Sequence, residues 1–104
     1  MSPARWDAEI VKMKQAFPSF EPFRRGDCVG FEGKLRGPSG AVFTIRIIAF
    51  GSRYPAQAPA IHISPPVGEN HSGGALCVYR PWRPERDTFG QQVLYAADYL
   101  RIFG

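Results

Sequence analysis

The sequence predicts a single α+β domain: an N-terminal helix packed on an antiparallel meander sheet, then a long loop and a C-terminal helix. Three observations carry this. Apolar residues recur at helical spacing near both ends, strand-length apolar runs fill the stretch from Cys28 to Ser64, and Pro65 to Arg86 shows no periodicity. At 104 residues the chain holds one domain, 1–104, and has no room for two. A hydrophobic content of 44%, with 13% aromatic residues, supports a modest core.

Trp6, Ile10, Met13 and Phe17 form the first stripe, with Ser2 as cap, Pro3 in the first helical position and Pro18 ending the helix. Arg5, Lys12 and Lys14 fall off that stripe, so they are expected to face water. Ser19 to Gly26 reads as irregular. Cys28–Leu35 and Ala41–Phe50 then read as strands joined at Gly37-Pro38-Ser39-Gly40, a turn sequence, which makes them an antiparallel hairpin. Gly51 to Pro59 is a loop, and Ala60–Ser64 a third strand with Ile61 and Ile63 facing inward. Three strands covered on one face by a helix are the minimum for a stable meander. Thr88 and Gln91 have capping-box spacing, and Phe89, Val93, Ala96 or Ala97, Leu100 and Phe103 supply the buried stripe of the last helix.

Composition narrows the function. The net charge of +4 comes from thirteen Lys and Arg against nine Asp and Glu, and the basic residues are scattered rather than blocked. No direct nucleic-acid contact is expected from that pattern, which fits an acidic protein partner or plain solubility. The N-terminus lacks the apolar core of a signal peptide, and no run of apolar residues is long enough to span a bilayer. A cytoplasmic protein with two free thiols, Cys28 and Cys77, is the expectation. Phosphate-loop, dinucleotide-binding and serine-hydrolase motifs are missing, and two His with two Cys at irregular spacing make no zinc site, so neither cofactor nor metal is expected.

The remaining candidate nucleophile is a thiol. Cys77 sits in Asn70-His71-Ser72-Gly73-Gly74-Ala75-Leu76-Cys77-Val78, inside the aperiodic stretch. Twenty-odd residues without periodicity in a small domain are usually functional or disordered. A free thiol of pKa about 8.5 is a few per cent thiolate at neutral pH, enough for thioester exchange without a strong base. From composition alone, a cysteine between Leu76 and Val78 reads more readily as packing. Cys28, opening a strand, reads as packing too.

From Gly33 to Leu100 the sequence resembles the catalytic core of ubiquitin-conjugating enzymes. Gly37-Pro38 is similar to the family's turn after its first strand, and Tyr54-Pro55-Ala56-Gln57-Ala58-Pro59 to its tyrosine-proline loop. His71 with Gly74-Ala75-Leu76-Cys77-Val78 resembles the histidine and cysteine segment, Trp82-Arg83-Pro84 the tryptophan motif after the cysteine, and Thr88 to Leu94 the start of the next helix. The helix ending at Phe17-Pro18 occupies the place of the family's first helix.

The resemblance implies that Cys77 accepts the C-terminal acyl group of a ubiquitin-like protein from an activating enzyme and passes it to an amine or to a ligase thiol. It makes His71 a loop-holding residue, Trp82 a neighbour of the site, Tyr54-Pro55 part of its edge, and Arg5 and Lys12 a docking face for the activating enzyme. The family's oxyanion asparagine is missing: Ser72 and Gly73 follow His71, while Asn70 precedes it. Losing one such donor costs on the order of a hundredfold in rate. Asp87 is a candidate for activating the amine, and equally a helix-start charge. The hairpin turn is shorter than in the family, and its last two helices are not expected here. That compactness resembles bacterial conjugation systems, including stand-alone conjugating proteins of cyclic-oligonucleotide anti-phage defence, in which the synthase's own C-terminal tail is carried. A non-catalytic binding or scaffold module of the same fold is the alternative.

Overall fold

The computed structural model of the chain describes residues 1–68, 75, 76, 78 and 81–104. Helix α1, Pro3–Ala16, begins as its sequence dictates: Ser2 caps it, its Oγ accepting the Arg5 N–H at 3.2 Å, and Pro3 opens the first turn. The Phe17 N–H closes the last turn on the Met13 carbonyl at 2.7 Å, and Pro18 lies just beyond. Met13 is buried, and Trp6, Ile10 and Phe17 pack half-buried against the core. Glu9 is buried as completely as Met13, at 2% exposure, which the apolar stripe does not foretell.

The sheet has four strands rather than three: β1 Glu21–Arg25, β2 Cys28–Arg36, β3 Val42–Phe50 and β4 Ala60–Ser64, all antiparallel in that spatial order. The strand absent from the sequence reading is β1, in the stretch taken as irregular. Four of its five residues are exposed and Pro22 interrupts them, so no alternation marks it. Backbone pairing to β2 makes it a strand, with Arg25 opposite Cys28 across a turn in which Gly26 takes φ +60°. Pro22, lacking an N–H, is tolerated because β1 is an edge.

The β2–β3 hairpin closes at 37–41 through the Gly37 N–H to Ala41 carbonyl bond of 2.8 Å, with Arg36 opposite Val42. Val29, Phe31, Phe43, Ile45, Ile47, Ala49, Ile61 and Ile63 are buried on one face. Glu32 and Arg46, opposite each other on the other face, form an ion pair at 3.0 Å. By strand alternation with buried Val29, Cys28 lies on that outer face and is half-buried, not a core residue.

Helix α2, Phe89–Phe103, runs across β2, β3 and β4, and α1 packs beside α2. Helix α1 reaches the sheet through side chains, Trp6 meeting Phe31 at 5.2 Å between ring centres. Phe89, Val93, Ala96 and Leu100 form the buried stripe of α2. Phe103, expected in that stripe, is 47% exposed and stacks instead on Tyr99 at 4.6 Å. No helix among the described residues is long and apolar enough to cross a membrane.

Phe20 lies flat on bare backbone at Gly33: a Cβ there would stand 2.5 Å from a Phe20 ring atom. Phe20 is itself buried, so admitting the methyl requires its ring to shift from its packed position. Gly33→Ala should therefore cost about 1–3 kcal/mol, read as a lower urea midpoint with an unchanged slope.

Candidate functional site

Two stretches distant in sequence meet at the N-terminus of α2. One is the Tyr54-Pro55 loop after β3, joined by a cis peptide bond; the other is the segment Trp82–Thr88 leading into the helix. Trp82 is half-buried, and its Nε1–H donates to the Pro55 carbonyl at 2.7 Å. Its ring lies 6.0 Å from that of Tyr54, which lies 4.8 Å from Phe89. Phe89 also touches Phe31 and Trp6, so an aromatic chain runs from α1 through the core to Trp82. Fully burying a residue such as Phe89 contributes about 1.5–3 kcal/mol, and edge-to-face contacts add to that.

Glu9 holds this junction from α1. Its Oε1 accepts the Phe89 N–H at 3.2 Å, and its Oε2 accepts both the Arg5 Nε–H at 3.0 Å and the Tyr54 hydroxyl. The expected capping box does not form. Thr88 is the N-cap residue, yet its side chain makes no cap bond, and the Gln91 N–H reaches the Thr88 carbonyl at 3.0 Å. A carboxylate from another helix, that of Glu9, meets the first amide at the positive end of α2.

Arg5, expected to point to water, is drawn into the same junction. Besides Glu9 it donates to the Pro84 carbonyl at 3.2 Å, the Asp87 carbonyl at 2.8 Å and the Tyr54 hydroxyl at 3.1 Å, leaving its side chain 26% exposed. Burial works against the Arg5 cation, but the hydrogen bonds to Tyr54 and Glu9 outweigh it and raise its pKa. Burial first, and then the Glu9 carboxylate, push the Tyr54 phenol well above its ordinary value, Arg5 opposing them more weakly.

Asp87, directly before the N-cap of α2, is buried at 1% exposure. Its Oδ2 accepts the Arg83 N–H at 2.9 Å, which ties the turn back on itself. Tyr54 is 3% exposed, so its side chain is not a surface for a partner, whereas Pro55 is half-buried and Lys12 exposed. Cys77, His71 and Asn70 lie outside the described residues. Of Cys77's sequence neighbours, Leu76 is buried with its N–H on the Ile61 carbonyl of β4 at 2.8 Å, and Val78 packs against the core. Among the described residues no cluster of His, Cys, Asp and Glu could hold a metal ion.

Glu9 escaped the sequence reading because a glutamate on an amphipathic helix normally faces water. The faint clue is its spacing, four residues after Arg5 and one before Ile10, at the margin of the apolar stripe.

Glu9→Ala would strand the Phe89 N–H and leave Arg5 without its carboxylate. Breaking a buried pair costs 3–5 kcal/mol; about 3 kcal/mol is expected here, because Arg5 keeps other acceptors and some water, and chemical denaturation would measure it. Tyr54 makes a second, alkaline prediction. An unfolded tyrosine ionises near pH 10, while folded Tyr54 keeps its proton, so its contribution is intact below that pH and lost above it at about 1.4 kcal/mol per pH unit. Urea midpoints between about pH 9 and pH 11 should fall more steeply for the wild type than for Tyr54→Phe.

Comparisons with protein-family models, curated proteins and solved structures found no match.

Proposed function

We propose that the protein is a thioester-forming conjugating enzyme of the ubiquitin-conjugating type, with Cys77 as nucleophile. The observation that carries the reading is the meeting of Pro55 and Trp82. The two motifs quoted for the resemblance on either side of Cys77 stand in direct contact, although 27 residues separate them. The order of helix, antiparallel meander and helix supports it as well.

In this reading the Cys77 thiolate attacks the thioester carbonyl of a carrier protein's C-terminal residue, held on an activating enzyme, and expels that enzyme's thiol. An amine then attacks the new thioester, forms an amide and releases Cys77 as thiolate, its proton passing to a base. Asp87 is proposed as a group that supports the segment beside the site, and Asn70 as a donor to the oxyanion. Lys12 is the exposed cation of α1 offered to the activating enzyme. The carried group is a ubiquitin-like protein or the C-terminal tail of a partner such as a cyclic-oligonucleotide synthase, in a bacterial antiviral setting.

Pull-down from cells carrying the native neighbouring genes tests this. Wild type should yield an adduct cleaved by reductant or hydroxylamine, Cys77→Ser an oxyester resistant to reductant, and Cys77→Ala none. An adduct that persists in Cys77→Ala would overturn the assignment and leave a binding module of the same fold.

A further inference from the structure

The guanidinium of Arg5 touches both halves of the candidate site from α1. Through its two terminal nitrogens it binds Tyr54, the residue before Pro55, and the carbonyls of Pro84 and Asp87, which bracket the turn after Trp82. Glu9 fixes the third nitrogen, so the planar fork has one permitted orientation. The two partners of the Trp82–Pro55 hydrogen bond therefore each sit one or two residues from an anchor on Arg5. Most of the side chain is committed inward, which leaves little of it to meet a docking protein.

We infer that Arg5 is a positioning residue for the candidate site, holding the Tyr54-Pro55 loop and the Trp82–Asp87 segment in register from α1, and is not a docking residue. What the site does rests on the conjugating-enzyme reading; the clamp itself rests on the contacts above. A lysine at this position reaches Glu9 four residues on, as arginine does, but a single ammonium cannot span three acceptors in one plane. Charge and clamp are thus separable by Arg5→Lys.

The test is the rate at which the Trp82 indole proton exchanges with water, read by NMR and assigned with Trp82→Phe, in wild type and Arg5→Lys. Exchange should rise roughly fivefold in Arg5→Lys, the weight of one ordinary hydrogen bond. Core amides of β2 and β3 should stay protected, and the melting temperature should drop by no more than about 4–8 °C. No partner protein is needed, so this outcome stands or falls apart from the conjugation assay. Where the Cys77 thioester forms, Arg5→Lys should slow its discharge to free lysine while leaving the activating-enzyme concentration for half-maximal loading unchanged. An unmoved indole exchange rate overturns the inference, as does a shift in half-maximal loading with normal discharge, which would return Arg5 to a docking role.

Discussion

A carboxylate sealed inside a domain of this size is costly, since each ion removed from water carries a penalty of several kcal/mol. Glu9 bears that cost and sets the geometry around it. Its two oxygens accept hydrogen bonds from the first amide of α2, a guanidinium on its own helix and a phenol on the β3–β4 loop. Three elements distant in sequence are thereby referred to one group. An apolar residue in its place could pack there, yet it would specify neither where α2 begins nor which way Tyr54 points.

That arrangement brings the Tyr54-Pro55 loop and the segment before α2 together at the start of that helix. The carbonyl of Ile61 on β4 holds Leu76, and the aromatic chain from Trp6 to Trp82 passes through Phe89, the first residue of α2. A conjugating enzyme needs its nucleophile on a scaffold that stays put while two large proteins come and go. On the proposed reading, buried polar contacts over an aromatic base supply that scaffold. It also divides α1 into two faces: Arg5 and Glu9 turn toward the site, while Lys12 remains at the surface.

What could be read from the sequence follows the range of the interactions. The start and end of α1, the turn at 37–41 and the inward set on β3 and β4 are settled within a few residues, so spacing and Pro/Gly chemistry reveal them. Strand β1 could not be read, because an exposed edge with Pro22 carries no alternation and exists through pairing alone. Phe103 misled for a related reason: helical spacing continues past the end of the core it would pack against. The Glu9 junction was hidden because its partners lie 45 and 80 residues away, and a glutamate or arginine on a helix resembles any solvated residue until those partners are brought to it. Trp82 and Pro55 were both singled out, but their contact with each other is a property of the fold.

The central functional claim is that Cys77 is an accessible thiol, and timed alkylation of the folded protein by iodoacetamide, followed by intact and peptide mass spectrometry, tests it most directly. Cys28, half-buried on the outer sheet face, serves as the internal reference. The first label in the native protein should map to Cys77, ahead of Cys28, and denaturant should remove the difference. Labelling of Cys77 only after denaturation, with Cys28 reacting first in the native protein, would contradict the claim and make Cys77 a packing residue.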